Sequence, residues 1–473
     1  MEPRDSRRWW ALALIAAAQF MVIMDTSIIG VALPRIQAEL GFSQENLSWV
    51  FNAYVIAFGG LLLLGGRLSD LLGAKRVFAS GWVVLLAGSV VAGAAGTVWV
   101  ELIGRAVQGV GAALIAPSAL TLLMMLFGGT PKELTKALAL YGAAAPAGGT
   151  AGVFLGGVIT EYISWPWVFY INVPIALVVL AAVPALMPGG ARQRGSTDLL
   201  GALTVTAGLA AAVFAIVRAP EVGWGSTSTA IGLVIALALL AAFVALQARR
   251  HNPLVRLGIF RTPDLAAANL AQLLLGAAWI PMWFFLNLYL QQVLGLGAFA
   301  SGSALLPMTT VIMLIMIVVA PRLAARFGTK AMVVAGLAVL AIGLGWLSFV
   351  RPAGTFWIDV LPASLVTAAG MALAFIPSLG TAISSARPEE GGLAAGIVNT
   401  SYQVGSALGL AAMTAVASAL GAGQTADTAL LTDGLSSAFV GAAVIAVAGA
   451  LLAGVTLRGR RAQHRETVGA TAA

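Results

Sequence analysis

Arg67-Leu68-Ser69-Asp70-Leu71-Leu72-Gly73-Ala74-Lys75 and Arg322-Leu323-Ala324-Ala325-Arg326-Phe327-Gly328-Thr329-Lys330 share the pattern R-L-x-x-x-x-G-x-K. Each copy sits in a charged break between two long apolar runs. The first break separates the second and third runs and the second separates the tenth and eleventh, so the motif recurs at corresponding places. Runs 1–6 and 9–14 therefore read as two copies of a six-helix unit, with runs 7 and 8 inserted between them. This divides the chain into an N-terminal bundle over residues 1–187, two linking spans over 188–260, and a C-terminal bundle with its tail over 261–473.

The runs themselves set the class. The 473 residues are 60% hydrophobic and 9% charged, too little charge to wet a soluble surface of that size. A helix needs about 20 apolar residues to cross the bilayer core, and about fourteen such runs occur, from 9–33 to 434–457. Lipid tolerates only helices or closed barrels, and no alternating ten-residue strands are present. The fold class expected is an all-α membrane protein of two six-helix bundles plus two extra spans. The first run follows a short charged segment without a small-residue cleavage site and reads as a retained span.

Charge sets the expected orientation. Of the 26 Lys and Arg, only Arg35, Arg105, Arg218 and Arg351 avoid the loops that share a side with the N-terminus. Arg192, Arg194, Arg387 and the tail residues Arg458, Arg460, Arg461 and Arg465 belong to that side, and His251 and His464 stand in polar stretches. Such a bias places both termini in the cytoplasm of a bacterial inner membrane. The net charge of +8 is then a topology signal, and no nucleic-acid partner is expected. Trp49, Trp99, Trp165, Trp167, Trp224 and Trp357 lie near the opposite span ends, as an aromatic belt does.

Absent cysteine removes thiolate metal sites and cysteine nucleophiles, and both histidines stand in polar stretches. No metal cluster, nucleophile–base pair or phosphate loop suggests an enzyme, and no cofactor is expected. Charges inside the spans are another matter. Asp25 lies about 16 residues past Trp9, roughly 24 Å along a helix, where an acid is costly and marks a functional site. It is a candidate to exchange a proton for a cationic substrate, alternating between protonated and substrate-bound states. Arg105 is the one base inside a span, at a depth similar to that of Asp25. The two can pair or compete for protons, or Glu101, one turn before Arg105, can be the true partner.

Other patterns fill out the candidate site. Gly66, Asp70, Gly73, Lys75 and Arg76 make a tight turn of both charge signs, a candidate latch for the inner face. Gly148, Gly152, Gly156 and Gly157 form a small-residue stripe on span 5, suited to close helix approach. Asn52, Tyr54, Trp279, Trp283, Asn287, Tyr289, Gln291, Asn399, Tyr402 and Gln403 are intramembrane polar and aromatic groups. They are candidate pocket lining for a bulky lipophilic ligand.

Taken together, these residues resemble the major facilitator superfamily, in particular its fourteen-span drug:proton antiporter branch. Gly66 to Arg76 is similar to the loop 2–3 signature, and Leu102 to Ala113 to the span-4 signature whose arginine is associated with proton transfer. Met24 to Pro34 is similar to the branch's span-1 signature. Ser164 to Pro174 and Tyr289 to Gly295 also match branch patterns. The resemblance implies proton-coupled export of lipophilic, often cationic drugs or antibiotics by a monomer in the lipid bilayer, that is, multidrug efflux. The chain departs from the pattern at Val153, where the antiporter signature has proline, and at Pro166, where the branch has arginine. With Asp25 as the one deep carboxylate, low proton stoichiometry and monocationic or neutral substrates are expected. A dedicated exporter of a self-made metabolite or lipid is the alternative within transport, and a non-transporting receptor or scaffold is the alternative outside it.

Overall fold

A computed structural model describes residues 3–128, 131–189, 198–250, 253–386, 391–423 and 427–458. Arg192, Arg194, His251, Arg387, Arg460, Arg461, His464 and Arg465 lie outside the described residues. Among the described residues, fourteen helices are long and apolar enough to cross a membrane. They are α1 (Arg7–Leu40), α2 (Asn46–Leu72), α3 (Ala74–Gly93), α4 (Val98–Phe127), α5 (Lys136–Tyr162), α6 (Trp167–Leu186) and α7 (Leu199–Val222). The series continues with α8 (Thr227–Arg249), α9 (Asp264–Val293), α10 (Ala298–Phe327), α11 (Thr329–Leu347), α12 (Phe356–Ser385), α13 (Leu393–Ala422) and α14 (Thr428–Thr456). Fourteen crossings return the chain to its starting side. That side is called proximal below, and the side where α1 ends is called distal. The first helix runs beyond residue 33, the limit suggested by its apolar run, because Pro34 is absorbed within it and Arg35 to Leu40 add a polar extension.

Helix pairing repeats with an offset of eight. Within the first group α1 packs on α5, α3 on α4, α2 on α4 and α3 on α6. In the second group α9 packs on α13, α11 on α12, α10 on α12 and α11 on α14. The groups meet along two seams, α2 with α13 and α5 with α10, which are themselves related by the same offset. The loop motif repeats in conformation as well as in sequence. Gly73 (φ 92°) and Gly328 (φ 82°) are both in the left-handed region, and their N–H groups close α2 and α10 onto Ser69 O (3.1 Å) and Ala324 O (2.9 Å). A residue with a Cβ is strained there, which explains the glycine in both copies.

The inserted pair is asymmetric. α7 wedges against both α2 and α13, with Trp49 on Phe214 at 6.5 Å, whereas α8 packs mainly on α7. Asp198 ties the pair together proximally, accepting from Gly201 N (2.8 Å) and Gln247 Nε2 (2.7 Å). Most of α8 is left facing outward with apolar side chains, as a lipid-contacting helix requires. Trp99, Trp167, Trp224 and Trp357 are exposed at distal helix ends. Trp165 is not part of that belt, since it is buried and donates to Glu39 Oε2 at 2.6 Å.

Candidate functional site

Glycine determines how closely α4 is held. A Cβ on Gly88 would lie 2.6 Å from Gln108 N, and one on Gly104 would lie 2.6 Å from Ala92 N, so α3 and α4 touch backbone to backbone. Gly109 likewise abuts the Tyr54 carbonyl of α2. This approach lets the Arg105 side chain reach across to α1 and α2. Its Nη1 donates to Asp25 Oδ2 at 2.6 Å and to Gln108 Oε1 at 2.8 Å, and its Nε donates to Val50 O at 2.9 Å. The guanidinium lies 4.6 Å from the Tyr54 ring centroid and 5.9 Å from that of Phe169.

Asp25 is held by two helices besides its own, and a third buttresses them. Its Oδ1 accepts from Gln108 Nε2 of α4 (3.1 Å) and from Asn172 Nδ2 of α6 (2.9 Å). Ser89 of α3 closes the ring, accepting from Gln108 (2.9 Å) and Asn172 (3.1 Å). Both partners of the ion pair are inaccessible, Asp25 at 1% and Arg105 at 0% exposure. A pair this dry is tolerable because donors and carbonyls cover most of its surface. The question of partner is settled for this conformation: Arg105 takes Asp25. Glu101 is equally buried, one turn distal, and neither of its oxygens has a hydrogen-bond partner among the described residues; Arg105 Nη2 is also unpartnered.

Span 5's glycines serve this site. Gly148, Gly152 and Gly156 each face α1, against the carbonyls of Phe20, Met24 and Ile28, and a Cβ on Gly152 would sit 2.8 Å from Met24 O. That contact is adjacent to Asp25. Gly157 turns the other way, where a Cβ would lie 2.9 Å from Ala298 O of α10. Val153, standing where the resemblance leads one to expect proline, is buried and presents its carbonyl to Gly302 of α10.

The candidate pocket residues separate into several environments. Tyr54 belongs to the ion-pair site, and Asn52 is fully buried with neither side-chain atom hydrogen-bonded among the described residues. Trp279 and Trp283 stack at 6.2 Å on α9, and Asn287 donates to Trp283 O at 2.8 Å; Trp283 and Asn287 both face Gly30 of α1. Gln291 donates to Val31 O at 2.9 Å. Tyr402 is edge-on to Phe375 at 5.4 Å, and Gln403 packs on Gly59 of α2. Tyr289 instead donates to Arg351 O (2.8 Å) inside the second group, and Asn399 is exposed with its amide on Ala395 O (2.8 Å). The Asp25 carboxylate is bonded by side chains of α4 and α6, whereas Trp283 and Asn287 meet α1 at Gly30. In this conformation both carboxylate oxygens are engaged, Oδ2 by Arg105 and Oδ1 by Gln108 and Asn172.

Other ties join the two groups distally. Gln37 donates to Gln44 (2.7 Å), Gln44 to Gln292 (3.2 Å) and Gln292 back to Gln37 (2.8 Å), a closed ring of amides between the α1 end and the α9 end. Ala298 N donates to Glu161 (2.8 Å) across α5 and α10, and Ser418 to Glu45 (3.0 Å). On the proximal side Lys75 caps α6, donating to Pro184 O (2.9 Å) and Met187 O (3.1 Å), within the first group. Asp70 is half-buried beside Arg67 on the last turn of α2, while Gly66 lies against Pro117 of α4, and Arg76 follows Lys75 into α3.

Repeated apolar helix groups around a buried ion pair, with seams that join the groups, define a polytopic membrane transport protein. The chain belongs to the Major Facilitator Superfamily, whose family model matches residues 15–410. It is a transporter rather than an enzyme. It is 38% identical over 446 residues to the cephamycin export protein CmcT of Amycolatopsis lactamdurans, covering 93% of this chain and 91% of that one. It is 36% identical over 459 residues to the puromycin resistance protein pur8 of Streptomyces alboniger, covering 95% and 91%. Among solved structures, an auto-inhibited peptide transporter of the POT family superposes with a TM-score of 0.69 at 16% identity, covering 96% of this chain and 97% of that one. The nucleoside transporter NupG gives 0.67 at 13% identity, covering 95% and 99%. At those identities the likeness speaks for the fold.

Proposed function

We propose that this chain exports lipophilic, often cationic, drugs or antibiotics by proton-coupled antiport, as a monomer in a bacterial cytoplasmic membrane with both termini inside. The observation that carries the coupling is the sealed Asp25–Arg105 pair at 2.6 Å on the helix that also touches α9. Protonating Asp25 discharges its half of the pair and frees Arg105. The change passes along α1 by about one and a half helical turns to Gly30 and Val31. There Trp283, Asn287 and Gln291 of α9 meet it, so α1 links the proton site to the candidate drug-facing residues.

Residues 1–187 and 261–473 act as two rocking bundles in this reading, bridged by the spans of 188–260. The distal amide ring then closes the outer face, and the loop of Gly66, Asp70, Gly73, Lys75 and Arg76 serves as the inner latch. A narrower reading, dedicated export of one self-made compound, is favoured by relatives whose names each carry one antibiotic: cephamycin, puromycin, tetracenomycin C and lincomycin. Ethidium accumulation in energised inverted vesicles tests coupling. Collapse of accumulation by nigericin supports antiport, and accumulation that survives it refutes antiport. Repeating the assay with puromycin and a cephamycin separates broad from narrow export.

A further inference from the structure

Glu101 is a buried acid that has no hydrogen-bond partner among the described residues while Arg105 pairs with Asp25. It sits in the first turn of α4 at 0% exposure, and neither carboxyl oxygen is hydrogen-bonded among the described residues. One turn along the same helix face, Arg105 keeps one guanidinium nitrogen, Nη2, unpartnered as well. Positions i and i+4 are neighbours on a helix, with the acid on the favourable N-terminal side. Two complementary groups thus stand one helical turn apart and unbonded while Asp25 holds the arginine. A fully buried carboxylate that accepts no hydrogen bond is far more costly ionised than neutral. Among the described residues the remaining groups of the site offer no second cation: Tyr54 comes from α2, Ser89 from α3, Asn172 and Phe169 from α6, and Asp25 from α1.

We propose that Glu101 is a second proton-carrying carboxyl, and that Arg105 changes partner from Asp25 to Glu101 when Asp25 takes up a proton. This deepens the coupling reading above and rests on it. The step balances: one O–H bond breaks at Glu101, one forms at Asp25, and the arginine's hydrogen bonds move the opposite way. The site holds one proton on its two carboxyls and one arginine charge before and after, so the exchange never leaves a bare charge in the dry interior. With a single deep carboxylate, each protonation would leave the buried Arg105 without a counter-ion. The pair of carboxyls removes that penalty.

Infrared difference spectroscopy of the purified full chain in detergent at neutral pH reads the protonated carboxyl directly through its C=O stretch, which ionised acids lack. The wild type is expected to show a band from a solvent-shielded acid that is lost in E101Q. The Asp25→Asn variant, which imitates protonated Asp25, is expected to lose the same band, because Arg105 then pairs with an ionised Glu101. A double D25N/E101Q variant supplies the baseline, and thermal unfolding shows that each variant is folded. A wild-type spectrum with no band sensitive to E101Q overturns the second carrier. A Glu101 band that persists in D25N overturns the exchange of partners. Neither result depends on transport, so failure here is distinguishable from failure of proton-coupled export.

Discussion

Asp25 of α1 and Arg105 of α4 meet at 2.6 Å, 80 residues apart in sequence, with neither side chain accessible to solvent. Truncating one member leaves the other charged and buried, which costs about 3–5 kcal/mol. Arg105→Ala is therefore expected to lower the midpoint of thermal unfolding in detergent well below that of Asp25→Asn, which keeps a polar group for Gln108 and Asn172. Arg105→Lys is expected to recover only part of the loss, since one ammonium cannot span Asp25, Gln108 and Val50 O together.

Asn172 supplies a donor to Asp25 that no charge count identifies. Asn172→Leu leaves Asp25 Oδ1 and Ser89 with one donor fewer in a buried setting, a loss of about 1–3 kcal/mol. Unfolding by denaturant or heat measures it. Asn287→Leu on α9, whose amide bonds only its own helix's Trp283 carbonyl, is expected to cost less stability.

Gly152 and Gly149 are neighbours with opposite expectations. A Cβ on Gly152 would meet Met24 O at 2.8 Å and Ser27 Cβ at 2.9 Å, whereas one on Gly149 finds nothing nearer than 3.7 Å. Gly152→Val should force α5 off α1 and destabilise by about 1–3 kcal/mol, displacing Asp25 with it. Gly149→Ala should be tolerated. Paired unfolding curves and dye-efflux assays read both effects.

The amide ring of Gln37, Gln44 and Gln292 is accessible to chemistry because the chain has no cysteine. Gln37→Cys with Gln292→Cys, bridged by a short reducible bis-thiol reagent, is expected to hold the distal side shut and abolish efflux. Reduction should restore it. Efflux undiminished by the bridge would show that the distal ends need not separate.

Much of this is legible in the amino-acid sequence. Apolar length declares fourteen spans, and Gly73 and Gly328 declare the repeat because the turn admits little else. Asp25 and Arg105 announce themselves as charges where charge is costly. Which acid Arg105 takes was not legible, since depth is readable from sequence but rotation about a helix apolar on all sides is not. Nor was it legible that the Tyr289 hydroxyl turns to Arg351 O or that Asn399 is exposed with its amide on Ala395 O. Gln108 carried a usable signal: it stands three residues after Arg105, on the same face. Ser89 and Asn172 carried little, because small polar side chains are common in packed membrane helices. Gln37, Gln44 and Gln292 lie at helix ends, where amides are unremarkable, and only the tertiary arrangement closes them into a ring.

Proteoliposomes with a pH gradient of either direction test the central claim most directly, by comparing ethidium movement in wild-type and Asp25→Asn protein. The account predicts that wild type concentrates the dye against its gradient. It predicts that Asp25→Asn retains binding and downhill exchange but loses gradient-driven accumulation. Full gradient-driven accumulation by Asp25→Asn would contradict the account.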